Sequence, residues 1–499
     1  MNRTGFLPKH FPFSVFQERQ RDESIALFHL FYYAKDFETF YKTAAYARLY
    51  LNEQQFLYAY YIAVLQQVYP SHFFNMDILY KINFVKINET TPAEYERYGI
   101  VKEDDDYIFY ANYSTLLTYP NQEARLSYFT EDVGLNSYYY YFHSHLPFWW
   151  NSNKYPAFKE RRGEIYFYFY QQLLARYYLE RLTNGLGEIP KFSWYEKFKT
   201  GYYPHLTTFR YPFAERSNNY EIHSEQNYEQ IRFLDTYEAK DRLPIPAAGP
   251  IQGCKYFQLY TSCIVFCYRY TFMPSSLDFY QTSLIVDYLI DFKKYLKAYT
   301  YEDLHFEGVK INDVKVDKLV TYFDYYDFNA TNRAYFSSKE LTNYPGDFIV
   351  RQPRFNNKPF SVIIDVFIGP EYDANGYPIT LEEDYIKFYE LDWSIHKLVP
   401  GVNKIVRNSE EFIFFQEDSV STEKIFELLE EGKVPHDMSV VPDNLPRRLM
   451  LPKGTKDGYP FQLLVIVYPY NGVNKVEDTN SNYITIVLLF KTLKIPNIM

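Results

Sequence analysis

The sequence predicts a multidomain α+β protein in which two mainly helical domains precede a C-terminal β-sandwich. With 499 residues, the chain is too long for a single hydrophobic core. Long segments of its first 300 residues repeat apolar residues at a spacing of three and four, which is typical of amphipathic helices. After residue 301, short β-branched and aromatic runs lie between Gly, Pro, Asn and Asp, which is typical of strands. We therefore expect domains at residues 1–123, 124–300 and 301–499.

The first domain is predicted from the segment Ser24 to Gln67. This segment contains no Gly or Pro and has helical apolar spacing throughout. Asn52, followed three residues later by Gln55, resembles a capping box and predicts a second helix that opens inside the segment. The acidic run from Glu103 to Asp106 is expected on a solvated face.

The central domain is predicted from two aromatic segments. Asn136 to Trp150 reads NSYYYYFHSHLPFWW, and Gly163 to Leu182 has the spacing of a helix that Asn184-Gly185 should end. The polar residues of the second segment leave an aromatic stripe, so we expect a buried helix of a bundle; they are Glu164, Gln171, Gln172, Arg176, Glu180 and Arg181. Ser276 to Tyr299 predicts another amphipathic helix after Pro274.

The last domain is predicted from four apolar runs that have the composition of strands. These runs are Phe360 to Pro370, Glu410 to Gln416, Phe461 to Tyr470 and Tyr483 to Phe490. We expect them to form a mostly antiparallel sandwich. A helix at Thr422 to Gly432 is predicted to interrupt it.

The aromatic content bears on function. The chain contains 56 Tyr and 44 Phe, and they occur in all three predicted domains. A binding platform would concentrate its rings locally, and a core gains little from Tyr because each buried hydroxyl needs a partner. The composition itself is therefore a candidate for the trait that matters.

Charge and hydropathy argue against several partners. The net charge of −10 gives no general attraction to nucleic acid or to anionic membranes. The uncharged segment from Val133 to Asn153 contains Pro147, two His and several Asn and Ser, so no membrane insertion is predicted. The first residues lack the apolar core of a signal peptide, so a secretion signal is not expected in this chain.

The sequence also contains three cysteines and four N-glycosylation sequons. Cys254, Cys263 and Cys267 form no disulfide framework and are predicted to be buried thiols. The sequons predict N-linked glycans; their candidate positions are Asn2, Asn88, Asn112 and Asn329.

Several long motifs resemble one protein family. They are EDVGLNSYYYYFHSHLPFWW (131–150), GEIYFYFYQQLLARYYLERL (163–182), TFMPSSLDFYQTSL (271–284), VFIGP (366–370) and LPRRLMLPKGTKDGYPFQLLVIVYP (445–469). These segments resemble the arthropod hemocyanin superfamily, and the aromatic content resembles its insect hexamerins of the arylphorin type. The resemblance implies a central helix bundle of the hemocyanin type and an immunoglobulin-like C-terminal sandwich. It also implies that the first domain is incomplete at its start.

In the copper-binding branches of this family, six histidines on paired helices hold two copper ions. The resemblance places Tyr139, His143 and Tyr170 at the first copper site, so one of three histidine ligands remains. Neutral phenols are poor copper ligands, and we predict that copper is absent. His145, two residues further on, lies off the ligand face of a helix. For the second site, the region from 187 to 299 offers His205 and His223, whose separation fits no helical ligand pair.

The resemblance implies a storage protein with no enzymatic activity. Such a protein is secreted into larval hemolymph as a homo- or hetero-hexamer of two stacked trimers. A fat-body receptor later takes it up into storage granules, and its Tyr and Phe supply metamorphosis and cuticle formation. Two alternatives remain open: a copper oxygen carrier or phenoloxidase-like enzyme with altered ligands, and a carrier of small ligands or hormones.

Overall fold

The computed structural model describes three main parts of the chain, with gaps. The described residues are 7–66, 100–103, 106–111, 122–130, 132–145, 147–151, 154–155, 162–190, 193–201, 207–208, 211–212, 216–222, 228–229, 231–232, 309–316, 319–329, 334–344, 348–354, 360–416, 431–432, 444–469, 487–495 and 497–498. The predicted helix at 276–299, nearly all of the one at 422–432, and the three cysteines lie outside these residues.

Three helices build the N-terminal part: α1 (Glu18–Tyr32), α2 (Phe37–Tyr50) and α3 (Glu53–Gln66). The predicted cap at Asn52 is confirmed, since its Oδ1 accepts a hydrogen bond from the backbone N–H of Gln55 at 3.1 Å. The sequence reasoning missed the break between α1 and α2. Asp36 caps α2 there by accepting from Thr39 N at 2.8 Å, and no Gly or Pro marks the position.

The central part contains the short helix α4 (Ser127–Thr130), then α5 (Val133–His145) and α6 (Arg162–Thr183). The predicted end of α6 is confirmed. Gly185 has a φ of +65°, and Leu186 N donates to Arg181 O at 3.0 Å across the reversed chain.

The aromatic stretch at 136–150 packs against the N-terminal helices. The rings of Tyr61 and Tyr141 lie 5.0 Å apart, and Trp149 Nε1 donates to the hydroxyl of Tyr58 at 2.8 Å. The stretch therefore joins the first helical part to the second. Its other face, on α5, meets α6.

The strands lie mainly in the C-terminal part. They are β1 (Ile100–Glu103), β2 (Asp106–Ala111), β3 (Thr207–Thr208), β4 (Tyr211–Pro212), β5 (Asp313–Val316), β6 (Val320–Asn329), β7 (Ala334–Tyr344), β8 (Phe348–Arg354), β9 (Phe360–Pro370), β10 (Tyr389–Leu398), β11 (Gly401–Arg407), β12 (Phe415–Gln416), β13 (Leu445–Pro446), β14 (Tyr459–Pro469), β15 (Val487–Ile495) and β16 (Asn497–Ile498). A short helix, α7 (Leu381–Asp384), precedes β10. The strands β6–β8, β10 and β11 were not predicted individually.

Three sheets form the mostly antiparallel sandwich that the sequence predicts. Their strand orders are β10-β9-β14-β15, β11-β8-β5 and β1-β2-β7-β6-β16. In β9, every second residue from Val362 to Ile368 is buried, and these apolar side chains share one core with α6. Strands β1 and β2 come early in the chain, yet β2 pairs in parallel with β7.

The predicted strand at Glu410 to Gln416 is wrong in its first part. A 3-10 turn occupies Ser409–Glu411, and β12 contains Phe415 and Gln416 alone. The guanidinium of Arg447 donates hydrogen bonds to the backbone carbonyls of Ser409 and Glu410, at 2.6 and 3.0 Å. These carbonyls are therefore not available to a neighbouring strand. No helix among the described residues has both the length and the apolarity needed to cross a bilayer.

Candidate functional site

The three residues that the resemblance assigns to the first copper site come together where α5 packs on α6. Tyr139 and His143 lie one turn apart on α5, and Tyr170 faces them from α6. The Tyr170 hydroxyl lies 3.2 Å from the Tyr139 hydroxyl and 3.0 Å from His143 Nε2. The three residues therefore form one cluster of contacting side chains.

Hydrogen bonding accounts for the cluster. The chain of bonds is complete when Tyr139 donates to Tyr170 and Tyr170 donates to Nε2 of a neutral His143. Burial, together with the adjacent Tyr170 hydroxyl, raises the pKa of Tyr139 well above its ordinary value. The phenol is therefore protonated at neutral pH and lacks the charge that a metal ligand of this type would need.

Packed rings surround the cluster. Phe142 and Phe169 stack face to face with centroids 3.6 Å apart, and the rings of Tyr139 and His143 meet edge to face at 4.4 Å. Tyr139 and Tyr170 are only 6% and 5% exposed. Aromatic packing and hydrogen bonds thus hold α5 and α6 together at this position.

Other histidines do not complete a metal site among the described residues. His145 ends α5, and at about 100° per residue it points roughly 200° away from His143. His205 and His223 lie outside the described residues. Within the parts of the chain that the structure describes, no group of three or more His, Cys, Asp or Glu side chains is arranged to hold a metal ion.

The polar residues of α6 include two that are fully buried. The sequence predicts a buried helix of a bundle, and Arg176 and Glu180 are 0% exposed. Arg176 Nη2 lies 2.8 Å from Glu180 Oε1, and Nε donates to Leu449 O at 2.8 Å. Glu180 also accepts from the backbone N–H of Lys453 at 3.1 Å. This face of α6 is the contact with the segment that precedes β14.

A second buried ion pair fixes the start of α5 against the sandwich. Asp132 Oδ1 caps the helix by accepting from Leu135 N at 2.9 Å, and the same carboxylate pairs with Arg448, whose Nη2 lies 2.7 Å away. Gly134 permits this approach, since a Cβ there would stand 2.4 Å from Pro446 Cγ. The ion pairs Arg176–Glu180 and Asp132–Arg448 were not predicted from the sequence. The one indication in the sequence was that these charged residues stand inside apolar segments.

Asn329 is the only sequon asparagine within the described residues. It is the last residue of β6, paired with Tyr335 of β7 across a hairpin. Asn2, Asn88 and Asn112 lie outside the described residues.

Three family models match the chain in sequence order. They are the hemocyanin all-alpha domain at residues 1–68, the hemocyanin copper-containing domain at 64–244 and the hemocyanin ig-like domain at 298–495. Together they cover each part of the architecture described above.

Curated relatives with high identity come from moths. The chain is 53% identical to arylphorin subunit alpha of Manduca sexta and 50% identical to arylphorin of Antheraea pernyi, with 95% of this chain covered in each case. It spans 78% and 79% of the length of these two proteins. It is also 30% identical to sex-specific storage-protein 1 of Bombyx mori, over 94% of this chain and 74% of that protein.

Solved structures share the fold. A scorpion hemocyanin in its activated state superposes with a TM-score of 0.75 at 22% identity, covering 100% of this chain and 95% of that one. A crustacean hemolymph-type prophenoloxidase superposes with a TM-score of 0.70 at 17% identity, covering 99% and 89%. At these identities the likeness concerns the fold alone.

Proposed function

Because this chain belongs to the arylphorin-type hexamerins of the hemocyanin superfamily and is a larval hemolymph storage protein, we propose that it is a copper-free reservoir of Tyr and Phe. The observation that carries the copper-free part is the buried cluster of Tyr139, His143 and Tyr170, in which two neutral phenols stand beside one imidazole. The 56 Tyr and 44 Phe supply the material that such a store would release. No enzymatic role is proposed, because the shared fold carries no activity without its site.

The proposed cellular route follows from the storage role. The protein is secreted into hemolymph, assembles as a homo- or hetero-hexamer of two stacked trimers, and is later taken up by a fat-body receptor into granules. Exposed apolar side chains on and beside β11 support self-assembly; they are Val399, Val402 and Val406. Burial of such a surface between copies of one chain would protect it from nonspecific aggregation.

We expect the wild-type protein, purified without chelator, to contain copper at background level by elemental mass spectrometry. The double variant Tyr139→His/Tyr170→His restores three imidazoles around the position of His143, and we expect it to retain up to one copper ion per chain. A matched variant, Tyr377→His, places one imidazole in an exposed turn and should stay at background. Two copper ions per wild-type chain would overturn the proposal. A folded double variant without copper would show that these three positions are not the ligand set.

N-linked glycans are proposed at Asn2, Asn88, Asn112 and Asn329. Asn329 ends a strand at a hairpin, a place where a glycan can project from the sheet. We expect peptides that contain occupied sequons to lose mass on treatment with an amidase that releases N-glycans. Each treated Asn becomes Asp. A sequon peptide whose mass does not change identifies an unoccupied site.

The domain division is also proposed: residues 1–123, 124–300 and 301–499. The three helices α1–α3 and the sandwich strands from β5 onward support its outer parts. The pairing of β2 with β7 places residues 106–111 beside the C-terminal sheet, so the first boundary is the part that limited proteolysis should test.

A further inference from the structure

Two tyrosines of α2 are much more exposed to solvent than the tyrosines of the described core. Tyr46 and Tyr50 are each 64% exposed, whereas Tyr58, Tyr139 and Tyr177 are buried. Burial also raises the pKa of these three buried phenols, so loss of their protons during oxidation is disfavoured. An oxidant in solution can therefore reach Tyr46 and Tyr50, as it can other exposed tyrosines such as Tyr377.

Tyr46 and Tyr50 form a close pair on this exposed face. They are one helical turn apart, their ring centroids are separated by 4.6 Å, and their planes are inclined by 36°. The buried rings of Tyr139 and Tyr170 lie 6.5 Å apart and perpendicular to each other. The α2 pair thus combines access from solvent with an arrangement in which two ring edges can meet.

We propose that Tyr46 and Tyr50 are a site of oxidative coupling to an intramolecular dityrosine, formed with hydrogen peroxide and a haem peroxidase. Each phenol loses one electron and its hydroxyl proton to give a phenoxyl radical. The two radicals join through a carbon–carbon bond between ortho positions, and the two ortho hydrogens move to the oxygens to restore the phenols. The peroxide takes up the two electrons and two protons and becomes two molecules of water.

The helix favours coupling within this pair. It holds the second ring beside the first, so the reaction is intramolecular and proceeds at a high effective concentration. Tyr41 is also exposed on α2, but its ring lies next to Phe37, at 6.4 Å, and Phe cannot form a phenoxyl radical. The link would fasten the last turn of α2, which ends at Tyr50. This inference goes beyond storage and does not depend on it.

The test treats the intact protein with horseradish peroxidase and limiting peroxide, isolates material of single-chain mass, and digests it with trypsin. Cleavage after Lys42 and Arg48 separates Tyr46 from Tyr50. We expect the peptide 43–48 to remain joined to the peptide that begins at Leu49, with a combined mass lower by two hydrogen atoms. Dityrosine fluorescence should accompany that linked species.

Tyr46→Phe and Tyr50→Phe should each abolish the linked species, while Tyr377→Phe, at a 69% exposed turn residue, should leave its yield unchanged. Both α2 variants keep an exposed aromatic ring, so the fold is not at risk. The proposal is overturned if the wild type gives no linked species, if either α2 variant retains it, or if these residues couple only between different chains.

Discussion

Replacement of Arg176 by alanine is expected to lower the free energy of unfolding by about 3–5 kcal/mol, as breaking a buried ion pair generally does. The Arg176 guanidinium is fully buried and holds Glu180 at 2.8 Å, while Nη2 also donates to Leu451 O at 3.0 Å. The Cζ atom of Arg176 lies over the ring of Phe129, 4.8 Å from its centroid. Truncation would leave the Glu180 carboxylate buried without its cation. The measurement is denaturant-induced unfolding followed by tryptophan fluorescence.

The matched control is Lys42→Ala on α2. Lys42 and Glu38 also form an ion pair one turn apart, at 2.6 Å, but their side chains are 71% and 75% exposed. Solvent screens this pair, so we expect a loss below about 0.5 kcal/mol. The double variant Arg176→Met/Glu180→Leu removes both buried charges and should recover most of the lost stability. An Arg176→Ala protein as stable as the wild type would refute the role of this contact between α6 and the sandwich.

Stability is expected to fall with rising pH because of Glu390 in β10. Burial, reinforced by the neighbouring carboxylate of Asp392, raises the pKa of Glu390 to about 8. Both side chains are buried. A bulge interrupts the pairing of β10 with β9 between them. The hydroxyl of Tyr168 on α6 donates to Glu390 Oε2. The site is thus another contact between helix and sandwich.

The direction of this pH dependence follows from the difference between the pKa values of Glu390 in the folded and the unfolded chain. In the unfolded chain Glu390 ionises near its ordinary pKa, whereas in the folded chain it stays protonated until about pH 8. The contribution of Glu390 to the free energy of unfolding is therefore fully present below its unfolded pKa. It is lost as the pH rises through its folded pKa. At roughly 1.4 kcal/mol per pKa unit, the loss amounts to several kcal/mol.

Glu390→Gln removes this ionisation and keeps a neutral acceptor for Tyr168. We expect the variant to be more stable than the wild type at about pH 9 and close to it at about pH 5, in denaturant titrations at both values. Glu410→Gln, on an exposed side chain of the turn Ser409–Glu411, should match the wild type at both. A variant whose stability relative to the wild type is the same at both pH values would contradict the assignment of a raised pKa to Glu390.

Much of the local structure was predictable from short stretches of sequence. Residues 361–368 alternate between core and partly exposed positions, and the strand, Phe360–Pro370, has the predicted bounds. The cap at Asn52 and the left-handed Gly185 depend on neighbours within a few positions along the chain. The turn at Ser409–Glu411 was not predictable in this way, because Arg447, which holds it, lies far away in sequence.

The sequence by itself determined the order of helical and strand segments and the aromatic composition. These features depend on residue type and periodicity, which are local properties. The prediction that Tyr139 and Tyr170 stand at copper-ligand positions came from the resemblance to the hemocyanin superfamily. The tertiary structure alone decided that Tyr139, His143 and Tyr170 meet in one hydrogen-bonded cluster. It also decided which groups the buried Arg176 of α6 contacts. The physical reason is that the environment of a side chain is set by the elements packed on it, and the two carbonyl groups to which Arg176 donates lie more than 270 residues further along the chain.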